Sequence, residues 1–182
     1  MMFATLGPEA NNHVLILRRY LKARGPADAE VRLFDDFPAA FAALVAGEVD
    51  RVLQCTAHFS HADCVGCYMH RAFPVDTFVA GSHPLALLAR RDVTAPRQVA
   101  LQPATRYYTD LSDFAEQIDV STTAGVAEGL LAGRFEAGIC AQHNVENHPD
   151  KLRLIQALGP ALDVWVLYGT RPLPGDSPLV LA

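Results

Sequence analysis

No stretch of the sequence approaches the roughly 20 apolar residues that cross a bilayer as a helix, so no membrane-spanning segment is expected. The opening residues, MMFATLGPEANNH, lack the basic start and long apolar core of a signal peptide, which makes the cytoplasm the expected location. Basic runs are also missing. Arg18, Arg19, Lys22 and Arg24 come nearest, at the spacing of one solvated helix face, and the net charge is −5. Nucleic acid is therefore not an expected partner. Aromatic residues are sparse at 8%, and there is neither an internal repeat nor a low-complexity tract. The four cysteines, Cys55, Cys64, Cys67 and Cys140, read as thiols in a cytoplasmic chain.

What is present is an apolar chain of 182 residues, 51% hydrophobic, enough for one core or for two small lobes. Met2 to Leu6 reads as a buried strand ended by Gly7-Pro8-Glu9. Asn11 or Asn12 caps a helix to about Arg24 that puts Val14, Leu17 and Leu21 on one face. A strand over Glu30 to Phe34 follows, then a helix over Phe37 to Val45 capped by Asp35 or Asp36 and closed by Gly47, and a strand over Arg51 to Cys55. This β-α-β-α-β opening predicts a parallel sheet.

Thr56 to Met69 reads as irregular. Extended pieces at Asp76 to Ala80 and Pro84 to Ala89 flank Gly81-Ser82-His83, a candidate hinge or crossover. A second series then predicts a strand at Val99 to Leu101, a helix near Tyr107 to Phe114, a strand at Ile118 to Val120, a helix over Thr123 to Leu131 and a strand at Ala137 to Cys140. Leu152 to Ile155 and Val164 to Tyr168 are late strands, and Leu173 to Ala182 reads as a tail or strap. Two β/α series with late strands left over predict two lobes joined by two crossings, residues 1–80 plus 146–182 and residues 81–145. Ligands in such α/β folds bind near strand carboxyl ends and helix N-termini, the expected position here being a cleft between lobes.

Several segments, in this order, resemble the prephenate dehydratase family. They are Thr5-Leu6-Gly7-Pro8-Glu9, the helix from Phe37 followed by Gly47-Glu48-Val49-Asp50, Ser121-Thr122-Thr123-Ala124, and Phe135-Glu136-Ala137-Gly138-Ile139-Cys140. Two departures stand out. Ala10-Asn11 replaces the family's Gly-Thr, and Leu162-Asp163-Val164 stands where a Thr-Arg-Phe motif is expected. Tyr68-Met69, Phe73, Phe78 and Val164-Trp165-Val166-Leu167 look like the bacilysin-type prephenate decarboxylase branch, a short member that removes carbon dioxide but keeps the ring hydroxyl. The resemblance implies a two-lobed α/β fold of the periplasmic-binding-protein type II kind, with a mixed sheet flanked by helices in each lobe, no regulatory domain, and a small carboxylic acid as substrate.

Candidate site residues fall in four segments. The turn carrying Glu9, Asn11, Asn12 and His13 presents backbone N–H groups and amides to a carboxylate. Ser121, Thr122 and Thr123 cap a helix and can hold an anion at its N-terminus. Arg106, beside Thr105, can grip a carboxylate through two parallel hydrogen bonds. Beyond the third strand, His58 and His61 are the catalytic acid/base candidates, with Thr56 and Ser60 beside them, and His83 is a further substrate-binding candidate. His143 and His148 read as surface residues.

Cys55, His58, His61, Cys64, Cys67 and His70 place a metal-ligating type at every third position. Steps of three rotate steadily around a helix, so only a subset such as Cys55, His58, His61 and Cys64 could converge on zinc. The leading expectation is a cofactor-independent lyase or isomerase acting on a prephenate-like enol or cyclic acid. Two alternatives are a non-catalytic carboxylate-binding module and a metal-dependent enzyme using the Cys/His segment. Homodimerisation is compatible with all three.

Overall fold

The computed structural model describes residues 1–180. In chain order its elements are β1 (Met2–Leu6), α1 (Asn12–Arg24), β2 (Glu30–Phe34), α2 (Phe37–Ala46), β3 (Arg51–Cys55), α3 (His61–Tyr68), β4 (Phe73–Gly81) and β5 (Leu85–Arg90). They continue with β6 (Gln98–Leu101), a short 3-10 turn (Pro103–Thr105), β7 (Glu116–Asp119), α4 (Thr123–Leu131), β8 (Ala137–Ala141), α5 (His143–Asn147), β9 (Leu152–Gly159) and β10 (Leu162–Gly169). The chain divides into two compact units. One is Met1–Gly81 with the chain from Leu162 onward, and the other is Ser82–Ala161.

The first unit holds a five-stranded sheet in the order β2-β1-β3-β10-β4. β1 runs parallel to β2 and β3, while β10 is antiparallel to both β3 and β4. Side chains alternate across the pleat. Phe3, Leu53, Cys55, Trp165 and Leu167 therefore pack with Ile16 and Leu17 of α1. Ala4, Leu6, Val52 and Tyr168 pack on the opposite face, with Phe37, Phe41 and Leu44 of α2 and Cys64 of α3.

Local chemistry sets the helix ends. The Asn11 side chain accepts the backbone N–H of His13 at the start of α1. At α2 the Asp36 carboxylate accepts the Ala39 N–H at 2.7 Å, and Gly47 closes the helix at φ 77, a left-handed conformation that glycine adopts without a Cβ clash.

The second unit repeats the pattern with the order β7-β6-β8-β5-β9. Val126, Ala127 and Leu130 of α4 cover one face of this sheet. Leu111 and the partly buried Phe114 pack on the other. Thr122 caps α4, accepting the Gly125 N–H at 2.9 Å.

Three expectations change. Leu152 to Ile155 was assigned to the first lobe together with everything after residue 145. In the structure β9 pairs with β5 in the second sheet, and the return to the first unit comes at Leu162. The helix expected near Tyr107 to Phe114 is absent from the described structure, where that stretch is turns. Asp110 takes the Ser112 N–H on its own side chain at 2.9 Å, a local bond that competes with a helix. Conversely, α3 forms inside the segment read as irregular. Its sequence is a weak helix former, and packing holds it: Cys64 enters the α2-side core and Tyr68 stacks on Phe41 at 5.6 Å.

The crossover expected at Gly81-Ser82-His83 coincides with the first unit boundary. Of the tail expected over Leu173 to Ala182, the part to Val180 is turns and unpaired chain, while Leu181 and Ala182 lie outside the described residues. Among the described residues no helix is long and apolar enough to cross a membrane.

Candidate functional site

In the first unit, side chains with chemistry gather where β1 and β3 end and α1, α2 and α3 begin. After β1 the chain turns through a cis Gly7–Pro8 bond. The Asn11 amide donates to the Gly7 carbonyl at 2.9 Å, which fixes the amide orientation. Its oxygen then accepts the His13 backbone N–H at 3.1 Å and faces His13 Nδ1 at 3.2 Å. An acceptor on that side assigns the imidazole proton to Nδ1 and leaves the lone pair on Nε2. That Nε2 is buried and has no hydrogen-bond partner among the described residues.

The His13 ring is 8% exposed. It meets Phe37 at 5.1 Å, Trp165 at 5.1 Å and His58 at 5.6 Å between ring centroids. Phe37 opens α2, and Trp165 pairs with Cys55 across β10 and β3.

His58 lies in the turn after β3, 9% exposed. Its Nδ1 is 2.8 Å from Ser60 Oγ and 3.3 Å from the Ser60 backbone N–H. A backbone N–H can only donate, so Nδ1 accepts, the Ser60 hydroxyl also donates to it, and the imidazole proton sits on Nε2. Ser60 Oγ in turn accepts Gln54 Nε2 at 3.4 Å. Gln54 is fully buried, and its Oε1 has no partner among the described residues. The exposed Phe59 ring lies 4.4 Å from His58 and forms the rim of the cluster.

Burial disfavours the charged imidazolium. It lowers the pKa of His13 to about 3, with His58 adding to the effect, and that of His58 to about 4, with His61 adding. Both rings are therefore neutral at neutral pH. His61 Nε2 shares a 2.9 Å hydrogen bond with the Tyr168 hydroxyl. Burial lowers the His61 pKa and lifts that of Tyr168 to about 12, the latter helped by Cys64.

Asn11, His13, His58 and Ser60, all candidates from the sequence, thus lie together, with His61 at the start of the adjoining helix. Glu9 points elsewhere, in an exposed ion pair with Arg18. Asn12 is half-buried in the first turn of α1, and Thr56 is exposed, its backbone N–H donating to Val164. Sequence reasoning missed Phe37, Trp165, Gln54 and Tyr168. Gln54 carried a readable signal, a lone amide inside the strand Arg51–Cys55. The aromatic neighbours carried none, since Trp165 lies far along the chain.

The remaining candidates belong to the second unit. Arg106 pairs with Asp119 and donates to Gln117, so its guanidinium is already engaged rather than presented to a ligand carboxylate. The buried Thr105 hydroxyl donates to the Gln102 carbonyl at 2.8 Å. Thr122 is occupied with capping α4, between an exposed Ser121 and a half-buried Thr123. The His83 and His143 rings meet edge-on at 5.3 Å. A cavity of about 380 Å³ near the end of α4 is lined by Arg90, Arg91, Asp92, Gly133 and Lys151 among others. Its two arginines are spent on Asp92 and on the carbonyls of Gly133, Pro149 and Leu152.

The zinc subset does not converge. Cys55 faces α1 and Cys64 faces α2, on opposite sides of the sheet. Among the described residues no three His, Cys, Asp or Glu side chains form a group that could hold a metal ion. All four cysteines are free thiols, and burial raises Cys55 and Cys140 to about 12.

No model of a known protein family matches the chain, and no curated protein does. Solved structures do resemble it. Prephenate dehydratase from Arthrobacter aurescens, in complex with L-Phe, superposes with a TM-score of 0.66 at 19% identity, covering 96% of this chain and 63% of that one. An ABC transporter protein from Parabacteroides distasonis gives 0.60 at 18% identity, covering 92% and 65%. The BvgS periplasmic domain of B. pertussis gives 0.55 at 18% identity, covering 93% and 37%. The chain spans less than two thirds of the length of each of these three. Likeness at such identities shows the fold: α/β, two mixed sheets flanked by helices, of the type II periplasmic-binding-protein kind.

Proposed function

We propose that the first unit binds a small enol or cyclic carboxylic acid at the carboxyl edge of its parallel strands, and that the protein acts on it as a cofactor-independent lyase or isomerase. One observation carries the reading. Ser60 fixes the tautomer of His58, so a neutral, mostly buried imidazole holds its N–H on the edge away from Ser60, beside a second neutral imidazole. The position supports it, because ligands of open α/β sheets bind outside the carboxyl ends of the strands.

A ligand carboxylate accepting from His58 Nε2 favours the cationic ring and lifts its pKa back toward neutrality. The imidazole then takes up a proton on Nδ1 as the acid binds, with the Ser60 hydroxyl turning from donor to acceptor and the long Ser60 N–H contact giving way. In a decarboxylation the bond from the substrate carbon to its carboxylate breaks and carbon dioxide leaves. The electron pair left on the carbon takes the proton from His58 Nε2, and the ring is left neutral with its proton on Nδ1, facing the Ser60 hydroxyl. Ser60 and Gln54 hold the ring in position throughout. The fold likeness to a prephenate dehydratase is consistent with such a substrate, and the four free thiols accord with a cytoplasmic location.

Incubation with prephenate, followed by ultraviolet absorbance, tests the proposal. The absorbance should change with wild-type protein and much more slowly with His58→Ala. Full activity in that variant would remove His58 from the mechanism, and no change with prephenate, chorismate or related enol acids would remove the enzyme reading. A second reading, a non-catalytic binding module, is favoured by one observation: burial holds both imidazoles neutral, with pKa values of about 3 and about 4, far below the range in which they would exchange protons. Thermal stabilisation by these acids without turnover would establish it.

A further inference from the structure

His13 Nε2 is a lone pair held in place with no donor to accept from among the described residues. Asn11 occupies the other ring nitrogen, Phe37 and Trp165 wall the ring, and burial keeps it neutral. A buried acceptor without a donor is costly, and native structures keep few of them. Repositioning cannot relieve this one, because the Asn11 amide that orients the ring is itself anchored on the Gly7 carbonyl and caps α1. A carboxylate does not answer it either, since an ionised carboxylate offers only lone pairs.

We infer that the ligand of the first unit carries, besides its carboxylate, a hydrogen-bond donor, an O–H or N–H group, that bonds to His13 Nε2. This rests on the reading that a small acid binds at this edge, and it makes His13 the residue that selects acids carrying a donor group. The two imidazoles are complementary to such a molecule. His58 supplies an N–H for an acceptor, His13 a lone pair for a donor, and the ring centroids are 5.6 Å apart. The exposed ring next to the pair is Phe59, 62% exposed beside His58, so a ligand that bonds to Nε2 has to displace the contacts on that side. Gln54 Oε1, also unpartnered among the described residues, belongs to a side chain with no exposure at all, whereas the His13 residue keeps 8%.

Calorimetric titration with phenylpyruvate, 4-hydroxyphenylpyruvate and 4-aminophenylpyruvate tests this, the last two arms separating O–H from N–H donors. One added hydrogen bond to an otherwise unpaired buried acceptor should tighten binding by about ten- to a hundredfold. The preference should disappear in His13→Phe, which keeps a ring against Phe37 and Trp165. Equal affinities in the wild type would mean that a buried water alone satisfies Nε2, and would overturn the inference while leaving the lyase reading to its absorbance test. A preference that survives His13→Phe, or no binding by any of the three acids, overturns it as well.

Discussion

Replacing His13 by phenylalanine should make the unliganded protein more stable while making it a poorer binder. Removing an unpartnered buried acceptor returns about 1–3 kcal/mol, and losing the Nδ1 bond to Asn11 costs about 0.5–1.5 kcal/mol. The cap on α1 survives, because Asn11 accepts the backbone N–H of residue 13, which any side chain leaves in place. Edge-to-face contacts with Phe37 and Trp165 carry over to the new ring. The net gain is about 1 kcal/mol, or about 2–4 °C in melting temperature for a chain of this size. Differential scanning calorimetry at pH 7.5 reads it, where neither folded histidine carries charge. A melting temperature lowered by 2 °C or more would show that Nε2 is already satisfied or that the larger ring is not accommodated, and the ligand argument built on that nitrogen would fall with it. The expected combination, stability up and binding down, is the usual trade at a site kept incomplete for its ligand.

Acid should destabilise the first unit early. His13 and His58 have folded pKa values of about 3 and about 4, below the ordinary 6.5. Their contribution is thus fully present above pH 6.5 and is lost as pH falls toward 4, because the unfolded chain binds protons that the folded one refuses. By pH 5 the loss is about 4 kcal/mol for the two together, measurable by urea denaturation and nearly halved in His13→Phe; a flat profile between pH 7 and 5 would contradict the burial argument. Asn11→Ala should cost about 1–2 kcal/mol through the lost cap and blunt the preference for donor-bearing acids by freeing the His13 ring. Arg106→Ala removes an ion pair near the surface and should shift stability by less than about 1 kcal/mol with ligand affinity unchanged, whereas a tenfold loss of affinity would restore its role as a carboxylate grip. In Gly138→Ala the new Cβ would stand 2.4 Å from Val126 Cγ1 and 3.0 Å from the Ala100 carbonyl. The second unit should lose about 1–3 kcal/mol in hydrogen-exchange protection while titrations at the His13 edge stay the same.

The sequence by itself determined what depends on near neighbours. Strand patterning, a cap at Asn11 or Asn12 and at Asp35 or Asp36, and the stop at Gly47 reproduce the β1-α1-β2-α2-β3 opening almost residue for residue, and α4 spans Thr123–Leu131 as expected, the structure choosing Asn11 and Asp36 as the caps. These features follow from side chains a few positions apart, bonding to the backbone or alternating across a pleat. The histidines of the candidate site were legible too, as polar residues placed just past strand ends. Only the tertiary structure decided which sheet takes β9, because a period of two says that a strand has two faces and nothing about its neighbour. It wound His61–Tyr68 into a helix, where packing against α2 outweighed weak local preferences, whereas the loop over Tyr107 to Phe114 turns on a local bond from the Ser112 N–H to Asp110. It also settled what the polar groups are free to do. Arg106 looked available until Asp119 was placed beside it, and His13 was one residue of a carboxylate-binding turn until Phe37 and Trp165, distant in the chain, closed around its ring and left one nitrogen without a partner among the described residues. Reactivity of that kind depends on burial and on which donors are absent, and both are properties of the packed shell rather than of any stretch of sequence.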